Sequence, residues 1–91
     1  MSAIEIKFPE EIRLPKKTST PEELFDLGVA YSTGQGAPLN LIEAHKWFNL
    51  AALKGNQPAR EWRSNLAREM SADEIAEAQR QARAWLHTPS R

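Results

Sequence analysis

The sequence predicts an all-α fold, and two observations indicate it. Apolar residues recur at spacings of three, four and seven along most of the chain, as they do on one face of a helix. The segments with this spacing are separated by Ser, Thr, Asn, Pro and Gly, the residues that begin and end helices. From about residue 20 onward we therefore expect four helices of roughly 10–15 residues, joined by short loops.

The N-terminal region differs from the rest and predicts an extended arm. Ile4, Ile6 and Phe8 alternate with polar residues, which is the period of a strand, and a proline then interrupts the pattern. A single strand needs a partner. The arm therefore folds onto the helical groove of its own chain, pairs with another molecule or stays flexible. We assign the arm to residues 1–20 and a helical domain to residues 21–88.

The first helix is predicted to begin after Thr20. A threonine followed by Pro21 and Glu23 is typical of a capping box, in which each side chain accepts a hydrogen bond from the other residue's backbone N–H. The predicted buried face consists of Leu24, Leu27, Gly28 and Tyr31. Gly34 and Gly36 end the helix, because glycine adopts a positive φ without steric cost.

The second helix is predicted between Asn40 and Gly55. Asparagine is a favoured cap, and Glu43, three residues later, predicts a second capping box. The apolar face consists of Leu41, Ala44, Phe48, Ala51 and Ala52. We interpret Trp47 as a core residue.

Two further helices are predicted in the remaining sequence. Asn56 caps the third, and Ser71 with Glu74 forms a capping box that begins the fourth. Their apolar faces consist of Ala59, Trp62 and Leu66 in the third helix, and of Ile75, Ala78, Ala82, Trp85 and Leu86 in the fourth. We interpret Trp62 as a core residue. Trp85 either seals the core or presents an apolar face to a partner.

A set of residues at fixed spacing crosses the first two helices and their loop: Leu27-Gly28, Tyr31, Gly34-x-Gly36, Asn40, Ala44, Trp47, Ala51-Ala52, Gly55 and Ala59. This pattern resembles one Sel1-like repeat, a relative of the tetratricopeptide repeat (TPR), with Ala37 where valine is usual and Asn40 where aspartate is usual. The resemblance covers about residues 22–59, and the segment of about 57–86 resembles the closing helices of small bacterial members. It implies antiparallel helix pairs of a short Sel1/TPR-like α-solenoid, and an adaptor or scaffold role.

Composition disfavours several classes of protein. Twelve Lys and Arg balance 12 Asp and Glu, so the 91-residue chain lacks the basic excess that binding to nucleic acid or an anionic membrane needs. The absence of cysteine removes disulfides, thiolate metal sites and Cys nucleophiles. The first residues lack the signal-peptide pattern, and no apolar run approaches the roughly 20 residues that span a bilayer. We expect a cytoplasmic protein with no membrane insertion, metal or cofactor.

No residue pattern predicts catalysis. His45 and His87 are too far apart for a helical metal-binding pair, and nothing near His45 supplies both a nucleophile and an orienting carboxylate. The glycines at Gly34 and Gly36 are not followed by the Lys-Ser/Thr of a phosphate loop, so they are interpreted as turn residues. We therefore expect no catalytic residues.

We accordingly expect a non-enzymatic protein–protein interaction module, a small adaptor or accessory subunit whose partner is another protein. The expected contact residues occupy the arm, exposed positions of the first helix, and the last helix: Ile4, Ile6, Phe8, Phe25, Val29 and Trp85. An alternative is a homo-oligomer in which the arm of one copy completes the groove of another. A less favoured alternative is a nucleic-acid or phosphate-ligand binder using Arg60, Arg63 and Arg80, although neighbouring glutamates favour a solvated, salt-bridged face.

Overall fold

The computed structural model describes residues 19–88, and all of its regular secondary structure is helical. The four helices are α1 (Pro21–Thr33), α2 (Leu41–Leu53), α3 (Gln57–Ala67) and α4 (Ala72–His87). Within the described range there is no strand. The predicted all-α fold is thus confirmed for these residues. Most of the predicted arm, with Ile4, Ile6 and Phe8, lies outside them.

Local hydrogen bonds begin three of the helices as the sequence predicts. Thr20 Oγ1 accepts from the Glu23 N–H at 3.1 Å, and Glu23 Oε1 accepts from the Thr20 N–H at 2.8 Å. Ser71 and Glu74 form the same reciprocal pair. Asn56 Oδ1 accepts from the backbone N–H three residues later at 2.9 Å. These caps satisfy N–H groups that lack partners inside a helix.

The second capping box is only half formed. Asn40 Oδ1 accepts from the Glu43 N–H at 3.1 Å, as predicted. The Glu43 carboxylate does not return to the cap: its Oε1 accepts from Trp47 Nε1–H at 2.9 Å and lies 3.0 Å from Lys46 Nζ. The prediction of a full box is therefore wrong. A nearly buried indole N–H needs an acceptor, and the Glu43 side chain meets that need one helical turn away.

Helix α2 is central to the packing, because it contacts each of the other three helices. The buried apolar residues form one cluster contributed by all four helices and by the loops between them. Its largest fully buried side chains are Leu24, Phe48 and Leu50. The hydrophobic core therefore lies around α2, between it and the other three helices.

Gly28 allows α1 to approach α2 closely. A Cβ atom at this position would lie 2.6 Å from two ring carbons of Phe48, closer than side-chain atoms pack. The Phe48 ring therefore occupies space that another residue at position 28 would fill. The predicted burial of Gly28 is confirmed.

The buried face of α2 differs in part from the predicted one. Ala44, Phe48 and Ala51 are buried as expected, whereas Leu41 and Ala52 are only half-buried. His45 and Leu50, which the prediction left out of this face, are 3% and 1% exposed. A helix that is contacted by three others buries more of its circumference than the single face of a surface helix.

Within residues 19–88, none of the helices has the length and apolar character that crossing a bilayer requires.

Candidate protein-interaction surface

Three aromatic rings from three helices meet on one side of α2. The Phe25 and Phe48 ring centroids are 5.6 Å apart, and Phe48 and Trp62 are 5.8 Å apart. Phe25 and Trp62 close the triangle at 5.5 Å, edge to face at 86°. Aromatic pairs favour this geometry because the positive edge of one ring meets the negative face of the other. The three rings hold one another in defined positions.

Trp62 is not the core residue that the sequence predicts. It leaves 42% of its surface exposed, although its ring contacts both phenylalanines. Ala59 and Leu66, which share its predicted face, are buried. In α3, Trp62 thus lies at the margin of the apolar face. Periodicity alone does not distinguish the centre of such a face from its margin.

Phe25 and Val29 are less exposed than predicted. Both are half-buried and pack against the core cluster, because α1 turns this margin toward the other aromatic rings. Glu22 and Asp26 share their side of α1, since positions 22, 25, 26 and 29 follow the helical spacing of three, four and seven. We call Glu22, Phe25, Asp26, Val29 and Trp62 together the Phe25–Trp62 surface.

Two exposed carboxylates of α1, Glu22 and Asp26, belong to this surface, and neither takes part in an ion pair among residues 19–88. The helix carries Glu22, Glu23 and Asp26 but no Lys or Arg. Glu23 is engaged by the helix cap. Glu22 and Asp26 are exposed, and the ion pairs within residues 19–88 join Lys46 to Glu43 and Arg80 to Glu77. The apolar centre therefore has an acidic margin.

A second aromatic pair lies elsewhere on α2. Trp47, 5% exposed, packs edge to face on Trp85 of α4, with 5.7 Å between centroids and an 87° interplanar angle. Lys46 Nζ lies 4.4 Å from the centroid of Trp47, and Lys54 Nζ lies 5.9 Å from that of Trp85. Trp47 is thus confirmed as a core residue. The predicted site residue Trp85 is half-buried against it and is not brought together with Phe25 and Val29.

Two of the three arginines considered for phosphate binding are engaged within the domain. Arg63 Nη1 donates to Asn49 Oδ1 at 2.6 Å. Arg80 donates to both Glu77 carboxylate oxygens, at 2.9 and 2.6 Å. These bonds, together with one from the Gln81 amide, lower the pKa of Glu77 to about 2. Arg80 would have to leave a bidentate partner to bind a phosphate.

His45 is a buried histidine at the contact between α2 and α3. It is 3% exposed, and its Nδ1 has no hydrogen-bond partner among residues 19–88. Burial, followed by the nearby Arg63 charge, lowers its pKa below the ordinary value of 6.5. Both effects disfavour the imidazolium ion, so His45 is neutral in the folded domain at neutral pH.

Within the described range no cluster of three or more His, Asp or Glu is placed to hold a metal ion. Among the surfaces of the described residues, the most distinctive is the Phe25–Trp62 surface, where a 42% exposed tryptophan packs on Phe25 and Phe48.

No protein-family model matches the chain, and no solved structure matches it. A stretch of 37 residues is 54% identical to part of the mouse (Mus musculus) protein DAP3-binding cell death enhancer 1. This stretch covers 41% of the chain but only 7% of the mouse protein. The similarity is therefore local and spans a small part of that relative.

Proposed function

We propose that this protein is a non-enzymatic protein–protein interaction module, a small adaptor or accessory subunit of a larger assembly. The observation that carries the proposal is Trp62, a half-exposed tryptophan whose ring packs against Phe25 and Phe48. Tryptophan is enriched among the residues that dominate binding energy at interfaces. Because neighbouring rings already restrain this one, a partner would order it at little cost in entropy.

The proposal includes membership of the Sel1-like family, as a small bacterial member with helix pairs of a short α-solenoid. Support comes from the close contact of α1 and α2 at Gly28, from the positive φ of Gly34, Gly36 and Gly55, and from the burial of Trp47. These are positions of the resembling motif. The mouse relative is named as a DAP3-binding protein, which agrees with an interaction role for a similar stretch of chain. We also place the protein in the cytoplasm, in keeping with its lack of cysteine.

The test compares full-length chains that differ at one exposed apolar residue. Tagged wild type, Trp62→Ala and Leu39→Ala are used to capture proteins from an extract of the source organism. Leu39 is the matched control, because it is 64% exposed and lies in the loop between α1 and α2. We expect a discrete partner that binds the purified wild type directly, keeps its affinity for Leu39→Ala and loses it for Trp62→Ala.

Two results of this experiment would contradict the proposal. A partner retained equally by all three chains would show that Trp62 does not carry the interaction. Recovery of the chain alone, with an apparent mass that rises with concentration, would favour the alternative of self-association. That alternative predicts monomers for the Ile4→Ser/Ile6→Ser/Phe8→Ser variant, which removes the apolar residues of the arm.

A further inference from the structure

The Phe25–Trp62 surface combines chemical features that together describe the segment it would bind. Its centre is aromatic, and its margin on α1 carries Glu22 and Asp26. These carboxylates are four residues apart on a helix, where like charges repel each other. A cation supplied by another molecule would relieve that repulsion as well as form an ion pair.

We infer that the Phe25–Trp62 surface binds a short segment of a partner protein in which a large apolar side chain lies next to Lys or Arg. This inference rests on the proposed function and adds the chemistry of the partner to it. The apolar side chain would cover Trp62 and Phe25, and the basic residue would meet Glu22 and Asp26.

Charge complementarity favours a basic segment over an acidic one. α1 has no Lys or Arg, so no cation of its own helix competes for the two carboxylates. On α3, Arg63, next to Trp62 in sequence, donates a hydrogen bond to Asn49 of α2 and acts on His45. An acidic segment would meet like charge at α1, and the repulsion would oppose binding.

The aromatic centre accounts for the apolar side chain. Phe48 beneath the surface is fully buried, and it supports Trp62 from one side while Phe25 supports it from another. An apolar group placed on the exposed part of Trp62 would remove both from water, which is favourable in proportion to the area covered. The cation then sets orientation and partner choice more than affinity.

The first experiment is a selection from a displayed library of random short peptides, using the full-length chain as the target. Peptides that also bind Trp62→Ala are removed by counter-selection. We expect the enriched peptides to carry Phe, Trp, Leu or Ile beside Lys or Arg, with a positive mean net charge. Enriched peptides with a negative mean net charge, or no enrichment at all, would overturn the inference.

The second experiment measures the affinity of one enriched peptide for a set of variants. Trp62→Ala should weaken binding about 30-fold or more, as expected for a dominant interface tryptophan. Glu22→Gln and Asp26→Asn should each weaken it about two- to fivefold, and more at about 50 mM than at about 200 mM salt. Asp73→Asn is the matched control, since it removes an exposed carboxylate from the first turn of α4.

The outcomes separate this inference from the proposed function. If Asp73→Asn and Glu22→Gln change the affinity of a bound peptide equally, the inference is wrong, although the protein would still be an interaction module. If only the Ile4→Ser/Ile6→Ser/Phe8→Ser chain enriches basic peptides, the arm of the chain itself occupies the surface, and the inference of a partner protein is wrong.

Discussion

Two aromatic clusters contain adjacent residues of α2: Trp47 packs with Trp85, and Phe48 packs with Phe25 and Trp62. The clusters differ in how far the domain buries their rings and supplies partners for their polar groups. Trp47 is nearly buried, gives its indole N–H to Glu43, and has Lys46 beside its ring and Trp85 against its edge. Phe48 is fully buried, but Trp62, whose ring packs against it, remains 42% exposed. The exposed Glu22 and Asp26 of α1 belong to none of the ion pairs within residues 19–88.

This difference is the basis on which we assign Trp47 a structural role and propose a binding role for Trp62. At Trp47 the domain supplies the aromatic, polar and cationic partners itself. At Trp62 the residues of the described range supply aromatic partners and leave 42% of the side chain exposed, which is why we propose that a partner binds there. Two tryptophans that the sequence presents as equivalent core residues thus have different environments.

The largest expected effect is that of Trp47→Ala. Removing a nearly buried tryptophan leaves a cavity and should lower the free energy of unfolding by about 3–5 kcal/mol. Urea unfolding of the full-length chain measures this. If Trp47→Ala does not fold, Trp47→Phe keeps much of the ring but loses the bond to Glu43, and should cost about 1 kcal/mol. If Trp47→Ala leaves stability unchanged but abolishes partner binding, Trp47 is a binding residue, and the proposed difference between Trp47 and Trp62 is wrong.

Gly28→Ala tests the support beneath Trp62. The added methyl group would lie 2.6 Å from the Phe48 ring, so the ring must move and the domain should lose about 1–3 kcal/mol. The loss should be smaller in a Phe48→Leu background, where the ring is absent. Equal losses in the two backgrounds, measured as a double-mutant cycle, would show that Phe48 does not set the requirement for glycine.

Trp62→Ala should affect stability less than Trp47→Ala does. The change removes two aromatic contacts but little fully buried surface, so we expect a loss of about 1–2 kcal/mol in the free energy of unfolding. Thermal or urea unfolding of the two variants under identical conditions makes the comparison. A loss of stability as large as that of Trp47→Ala would show that Trp62 acts as a core residue.

The smallest expected effect is a pH dependence from His45, beside the contact of α2 with α3. In the unfolded chain this imidazole has its ordinary pKa of about 6.5, whereas burial lowers its pKa in the folded domain. As pH falls below about 6.5, the unfolded state takes up a proton that the folded state resists, so stability decreases until pH passes the lowered pKa.

Urea midpoints measured from pH 8 down to pH 5.5 test this expectation, with the pH values chosen around the ordinary histidine pKa of about 6.5. The wild type should lose stability toward the acid end, and His45→Leu should remove most of that slope. His87→Gln, at the exposed end of α4, is the control and should keep it. A slope that survives His45→Leu would assign the effect to other groups.

Much of the fold could be predicted because its signals are local. Thr20, Asn56 and Ser71 each cap a helix through a bond to a residue three positions away. The glycine at position 34 takes the positive φ that ends α1. These interactions involve neighbours in sequence, so the residue types alone predict them. The candidate site was predicted only in part: Phe25 and Val29 were named, but Trp62 was not.

The sequence by itself therefore determined the helical class of the described residues, the four residues that cap the helix N-termini and the burial of Gly28. The tertiary structure alone decided which rings meet, that Glu43 satisfies Trp47 rather than its own helix cap, and that Trp62 lies at a margin while His45 is buried. The physical reason is that helical periodicity defines a face, whereas burial depends on how many helices cover it. Because three helices contact α2, more of its residues are buried than its apolar pattern predicts. Trp62 lies at the margin of the apolar face of α3 and remains 42% exposed.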